Sequence, residues 1–186
     1  MKRTLILSSL ISLLIYCNNT EVIIEQAVVK LETVEVYLLN NLNDSRGYCI
    51  DIQGHKTNAD VNKGLQSHSC YSYQGEISVD QSFNKFKISE NEFNIPYFKV
   101  CMEAEKIEKS SNLILNTCNK GDKQKFTLQN DGKIQPLSDL NLCLTVSESF
   151  REGGGGNPVH LIRKLSLQIC EEKFSSRQKW GIRTIN

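Results

Sequence analysis

Residues 143–180 run from Cys143-Leu144-Thr145-Val146 through a second cysteine, Cys170, to Gln178-Lys179-Trp180, and the same order of parts occurs twice earlier in the chain. The earlier copies are Cys49-Ile50-Asp51-Ile52 with Cys70 and Gln81-Ser82-Phe83, then Cys101-Met102-Glu103-Ala104 with Cys118 and Gln124-Lys125-Phe126. First cysteines lie 52 and 42 residues apart and signature glutamines 43 and 54 apart, so the period is loose and carries loop insertions. The expected fold is three copies of one unit.

Working outward, the stretches between these parts read as β-structure. Val34-Glu35-Val36-Tyr37-Leu38-Leu39 reads as the first strand of the domain. Phe126-Thr127-Leu128-Gln129 meets a turn at Asn130-Asp131-Gly132 and resumes as Lys133-Ile134, which predicts a hairpin. Phe86-Lys87-Ile88 and Trp180-Gly181-Ile182 are read as strands on the same alternation. No segment carries a long amphipathic helix, so the expected class is all-β. Gly153 to Gly156 lies in an insertion of the third unit, between Ser147 and Lys164. No Lys-Ser or Lys-Thr follows these glycines, and a mobile surface loop is expected there rather than a phosphate cradle.

A chain of 186 residues is long enough for one domain with its own core. Its 22 Lys and Arg nearly balance 21 Asp and Glu, so nothing steers it onto nucleic acid or an anionic membrane. Residues 1–17 read as an export signal, because Lys2 and Arg3 precede an apolar run, Leu5 to Ile15, too short for a stable anchor. Leu14-Ile15-Tyr16-Cys17 is similar to a bacterial lipoprotein box, with Tyr16 a poor residue before the cysteine. Lipidation of Cys17 is thus the one expected route to a membrane, and secretion is the other outcome. Residues 18–33 are read as a linker or an added element, and residues 34–186 as the domain. Export makes disulfides the default for the other six cysteines, and the repeat favours pairing inside each unit: Cys49 with Cys70, Cys101 with Cys118, Cys143 with Cys170. There is no Cys-x-x-Cys, and His55, His68 and His160 lack finger spacing, so neither a metal nor a cofactor is expected.

In these motifs the chain resembles the ricin B-type lectins, a β-trefoil family marked by Cys-hydrophobic-x-hydrophobic, a second cysteine and Gln-x-Trp. The resemblance covers residues 34–186, with three signatures in register with three cysteine pairs. It implies an all-β trefoil of three repeated units with one disulfide in each. Phe83 and Phe126 stand where the family usually has Trp, and with Trp180 they are expected to pack the core, each burying roughly 150–250 Å².

In that family a sugar site combines an acid just after the first cysteine, polar groups before the second, and an aromatic platform. A carboxylate accepts hydrogen bonds from neighbouring sugar hydroxyls, and a ring covers the apolar face of a pyranose. The resemblance puts the sugar-binding set in the first unit: Asp51, Gln66, His68 at the platform position, Asp80 where the family usually has Asn, and Gln81. Tyr71 or Tyr73 is a second source of a ring, since imidazole is smaller than indole. The second unit keeps an acid, Glu103, with Ile114, Asn116 and Lys123 at the other positions; the third has Thr145, Ser166, Gln168 and Arg177, and no acid. Both are read as structural copies, which leaves one weak, monovalent site. The implied function is an exported lectin that binds galactose or N-acetylgalactosamine on glycans and glycoproteins.

Other readings stay open. A trefoil that has lost sugar binding would serve as a protein-interaction module or as the receptor-binding subunit of a toxin, whose catalytic part would be a separate chain. An enzyme is not expected: the chain has no His-Glu-x-x-His, no Gly-x-Ser-x-Gly and no nucleotide loop. Asp51 and Asp80 read better as two acids lining a pocket than as a glycosidase pair.

Overall fold

The computed structural model describes residues 31–185, and all that follows concerns these. The first unit holds β1 (Thr33–Leu38), β2 (Tyr48–Ile52), β3 (Leu65–Ser69) and β4 (Ser82–Asn84). The second holds β5 (Asn94–Ile95), β6 (Val100–Ala104), β7 (Leu113–Thr117) and β8 (Phe126–Leu128). The third holds β9 (Ile134–Pro136), β10 (Leu142–Val146), β11 (Arg151–Glu152), β12 (Leu161–Ile169) and β13 (Trp180–Arg183). Each unit thus has four strands, and β11 is an addition inside the third unit's insertion. The expectations for residues 1–17, Cys17 included, and for most of 18–33 lie outside the described residues; Thr33 already belongs to β1.

The second and third strands of every unit form an antiparallel hairpin, with Cys49 opposite His68, Cys101 opposite Asn116 and Cys143 opposite Gln168. The first and fourth strands close on each other, through Glu35 opposite Ser82 in the first unit and through single bridges, Glu92 to Lys125 and Lys133 to Lys179, in the others. Pairing of β1 with β13 and of β8 with β9 stitches neighbouring units together. The result is a β-trefoil. Its three disulfides join Cys49 to Cys70, Cys101 to Cys118 and Cys143 to Cys170, one per unit.

The signature residues show why the motif recurs. Phe83, Phe126 and Trp180 are buried together with apolar side chains of all three units. Phe93 stands edge-on to both phenylalanines, with ring centroids 6.2 and 6.4 Å apart. Trp180 Nε1 donates to the Leu144 carbonyl at 2.9 Å, a bond that phenylalanine does not need. Each signature glutamine clamps the backbone on both sides of its unit's second cysteine. Its Oε1 accepts from the amides of Tyr71, Asn119 and Glu171 at 2.9, 2.8 and 3.1 Å in the three units. Its Nε2 donates to the carbonyls of Ser69, Thr117 and Ile169 at 3.2, 3.0 and 2.9 Å. The job requires an acceptor and two donors at the end of one side chain, and glutamine supplies them.

One expectation is corrected. Phe86-Lys87-Ile88 is not a strand but part of a short helix, α1 (Lys85–Ser89), capped by Asn84, whose Oδ1 accepts from the Lys87 amide at 3.2 Å. A strand would turn Phe86 and Ile88 to the same face, whereas the helix buries Ile88 and leaves Phe86 62% exposed. The glycine-rich insertion lies at the surface, as expected, and its Pro158–Val159 end is tied to the first unit. Arg46, held by Asp44 at 2.8 Å, donates to the Pro158 and Val159 carbonyls at 2.8 and 2.7 Å. The strap is closed by Gly153 N donating to the His160 carbonyl at 2.7 Å, and β12 pairs with β3 so that Ile162 faces His68 and Lys164 faces Gln66. Gly156 (φ +95°) makes the reversal, where a Cβ would meet the Pro158 carbonyl oxygen at 2.8 Å.

Candidate functional site

Hairpin register makes Asp51, Glu103 and Thr145 equivalent, opposite Gln66, Ile114 and Ser166 respectively. In the first unit the expected residues converge. Gln66 Nε2 donates to Asp51 Oδ2 at 2.8 Å, and Gln81 Nε2 donates to Asp51 Oδ1 at 3.3 Å. None of them is offered to solvent: Asp51 is 1% exposed, Gln66 5%, His68 4%, and Asp80 and Gln81 not at all. Asp80 is consumed locally, accepting from the Lys56 amide and the Ser78 hydroxyl, and so anchors the 3-10 turn at Lys56–Asn58. His68 Nδ1 donates to the Ser69 carbonyl at 2.8 Å, and its ring lies against Tyr71 and the strap's His160, with centroids 5.1 and 5.0 Å away. Tyr71 is buried too, while the Tyr73 hydroxyl sits 3.0 Å from His160 Nε2.

Electrostatics follow from this enclosure. Burial, reinforced by the neighbouring Asp80, pushes the Asp51 carboxyl well above the ordinary carboxylate range, outweighing the hydrogen bonds from Gln66 and Gln81. Burial likewise lowers His68 to about 4, because imidazolium is poorly solvated there. With Asp51 1% exposed and both its oxygens taken by Gln66 and Gln81, the carboxyl is closed to sugar hydroxyls in this conformation.

The second unit repeats the acid and amide arrangement in the open. Glu103 accepts from Asn116 Nδ2 at 3.1 Å and from Gln124 Nε2 at 2.8 Å, and it is half-buried while Asn116 and Lys123 are exposed. Asn116 itself fills the platform position, so no ring stands there. The third unit has Thr145 in place of the acid and holds a depression of about 290 Å³ lined by Thr145, Ser166, Gln168, Arg177 and Phe174. Gln178 Nε2 donates to Thr145 Oγ1 at 2.9 Å, and the Arg177 guanidinium lies 4.9 Å over the Phe174 ring.

The family model of the ricin-type β-trefoil lectin domain matches residues 37–180. The chain belongs to the ricin-type β-trefoil lectin family. Solved structures agree with this lectin fold. A designed threefold-symmetric protein, ThreeFoil, is 13% identical, with 82% of this chain and 98% of that one covered and a TM-score of 0.60. The earthworm lectin C-terminal domain mutant in complex with 6'-sialyllactose is 15% identical, with coverage of 82% and 98% and a TM-score of 0.55. A non-toxic homologue of type II RIPs from Momordica charantia (bitter gourd), in complex with α-methyl-D-galactoside, is 13% identical, with coverage of 82% and 48% and a TM-score of 0.55. At such identities the likeness shows the fold alone. A search of curated proteins returned no match.

Sequence reasoning about this lectin missed two things. One is the strap's position: the third unit's cysteines are 27 residues apart against 21 and 17 in the others, a length signal that marks the insertion but not where it folds. The other is Phe174, a ring four residues before a signature glutamine, brought to the third depression by the turn ahead of α2 (Ser175–Gln178).

Proposed function

We propose that the lectin binds a galactose-type sugar and that the accepting carboxylate is Glu103 of the second unit, with Asp51 of the first closed off. One observation carries this reading: of the two carboxylates at the three equivalent positions, Glu103 is the one that reaches solvent, already oriented by two amides. Galactosides are the first ligands to test, because the bitter-gourd relative was solved with one. Binding rather than catalysis fits the first unit as well, since Asp51 and Asp80, the two acids that would make a glycosidase pair, are both buried. Export by residues 1–17, with Cys17 either lipidated or lost with the signal, agrees with three disulfides, which belong to oxidising compartments. Surface glycans and glycoproteins are then the partners. A second reading, a receptor-binding part that works with a toxin chain, draws on the same relative, of which this chain covers 48%.

The test is a glycan array followed by calorimetry on the parent, Glu103→Gln and Asp51→Asn. Glu103→Gln is expected to weaken binding by about tenfold or more, and Asp51→Asn to leave it intact. The reverse pattern, with both variants folded, returns the site to the first unit. Silence from the parent moves the domain to the protein-interaction reading.

A further inference from the structure

Where the hairpins of the three units meet, the structure holds a depression of about 600 Å³ whose lining includes neither Asp51 nor Glu103, and which borders the third unit's equivalent position at Thr145. Its apolar floor draws on every unit, with Leu65 of β3, Leu113 of β7 and Leu165 of β12. Its rim is basic, with Lys63, Arg151 and Lys164, and Glu105 is the one carboxylate among its lining residues. Ser147 and Lys164 also line the smaller third-unit depression, so the two adjoin, and the smaller one adds Arg177 and no acid.

These cations are weakly compensated, Lys63 by a long, exposed pair with Asp60 at 3.7 Å. Among the described residues Lys164 and Arg151 have no ion-pair partner, and Arg151 donates only to Gln66 Oε1, at a long 3.4 Å. Arg177 reaches Glu148 at 3.9 Å, but that carboxylate side chain is 91% exposed, which makes the pair weak. Cations gathered in a concave, partly apolar site focus a positive field there. Arg151 lies on β11 and Lys164 on the part of β12 paired with β3, so the charge comes with the strap.

We propose that the joined depressions form a second site, independent of Glu103, for a short acidic oligosaccharide whose sulfate or carboxylate groups are taken by Lys164, Arg151 and Arg177. The leucine floor and the Phe174 ring then take the apolar C–H faces of the sugar rings. A volume of about 600 Å³ lies in the range of sites that enclose a small molecule. Nucleic acid fits less well, since it needs an extended basic track and the chain's net charge is only +1.

Calorimetry on the purified protein tests this with a heparin tetrasaccharide, tetragalacturonic acid and neutral maltotetraose. At least one acidic probe binds and maltotetraose does not, and which acidic probe binds tells sulfate from carboxylate. Binding weakens as salt rises. Lys164→Gln and Arg151→Gln each weaken it about tenfold, while Glu103→Gln leaves it unchanged. Both altered side chains are exposed, so the fold is kept, as thermal melting will verify. The proposal is overturned if neither acidic probe binds at low salt, if maltotetraose binds equally well, or if the Lys164→Gln/Arg151→Gln double variant binds like the parent.

Discussion

Acidification should loosen the junction between the strap and the first unit, and His68 sets the size of the effect. Its pKa falls from 6.5 to about 4 on folding, mainly through burial, with His160 and Arg46 adding to the decrease and the Ser69 carbonyl and Asp80 opposing it. Below pH 6.5 the unfolded chain binds a proton that the folded protein refuses until about pH 4, so stability falls as pH drops through that window. A shift of this size corresponds to a loss of about 3 kcal/mol by pH 4, at 1.36 kcal/mol per pKa unit. His160 is lowered as well, by burial first and the Arg46 charge second, and its loss has the same sign. Asp51 works the other way. Its raised pKa means the folded protein takes up a proton before the unfolded chain does, so acidification from that pKa down to 3.8 is stabilising. The two trends must therefore be separated by difference. Urea unfolding of the parent and of His68→Gln, from pH 7.5 to 4, should give curves that converge by about 3 kcal/mol, the parent losing more. Glutamine is chosen because it does not titrate and can still donate to Ser69. Parallel curves, or the His68 imidazole titrating near 6.5 by NMR, would refute the argument.

Gln178→Ala removes bonds to the Glu171 amide, the Ile169 carbonyl and Thr145 Oγ1 at once. With two part-buried backbone groups and the Thr145 hydroxyl losing their partner, chemical denaturation should show a loss of about 2 kcal/mol. Reduction of the folded protein should free six cysteines to alkylation, each bridge being worth on the order of 3 kcal/mol; six free thiols before reduction would contradict the pairing seen here.

The repeat was readable because it is built from obligatory local chemistry. A second cysteine flanked by an amide and a carbonyl that need partners calls for a glutamine within reach, and a trefoil core calls for a ring two residues later, so Cys, Gln and aromatic recur together. The third unit's two-residue edge strand was not readable, nor was α1. Arg151–Glu152 has no alternation to detect, and Phe86-Lys87-Ile88 has the same composition whether it turns as a helix or runs as a strand. For the site, hairpin register follows from the cysteines and sets Asp51 opposite Gln66 and Cys49 opposite His68, with Gln81 bonded to Asp51. Accessibility is a different quantity. For His68 it depends on the strap's His160, and the strap is held by Arg46 through the Pro158 and Val159 carbonyls, 112 and 113 residues away in the chain; no local pattern reports a contact of that range.

It follows that the signature glutamine is evidence of the fold and not of sugar binding. Gln81, Gln124 and Gln178 make the same backbone clamp whether the side chain beside them is a buried acid, an open acid or a threonine. Selection for a stable trefoil alone would preserve all three. What distinguishes the units is therefore what lies above the clamp, and there the strap has two opposite effects. By pairing β12 with β3 it sets His160 against His68 in the first unit. The same pairing carries Lys164 to the meeting point of the three hairpins, beside Arg151, where the basic depression forms. Shortening the insertion should thus move both properties together, opening the first unit to neutral sugars while abolishing the acidic site. A change in only one of them would show that the two are not coupled through β12.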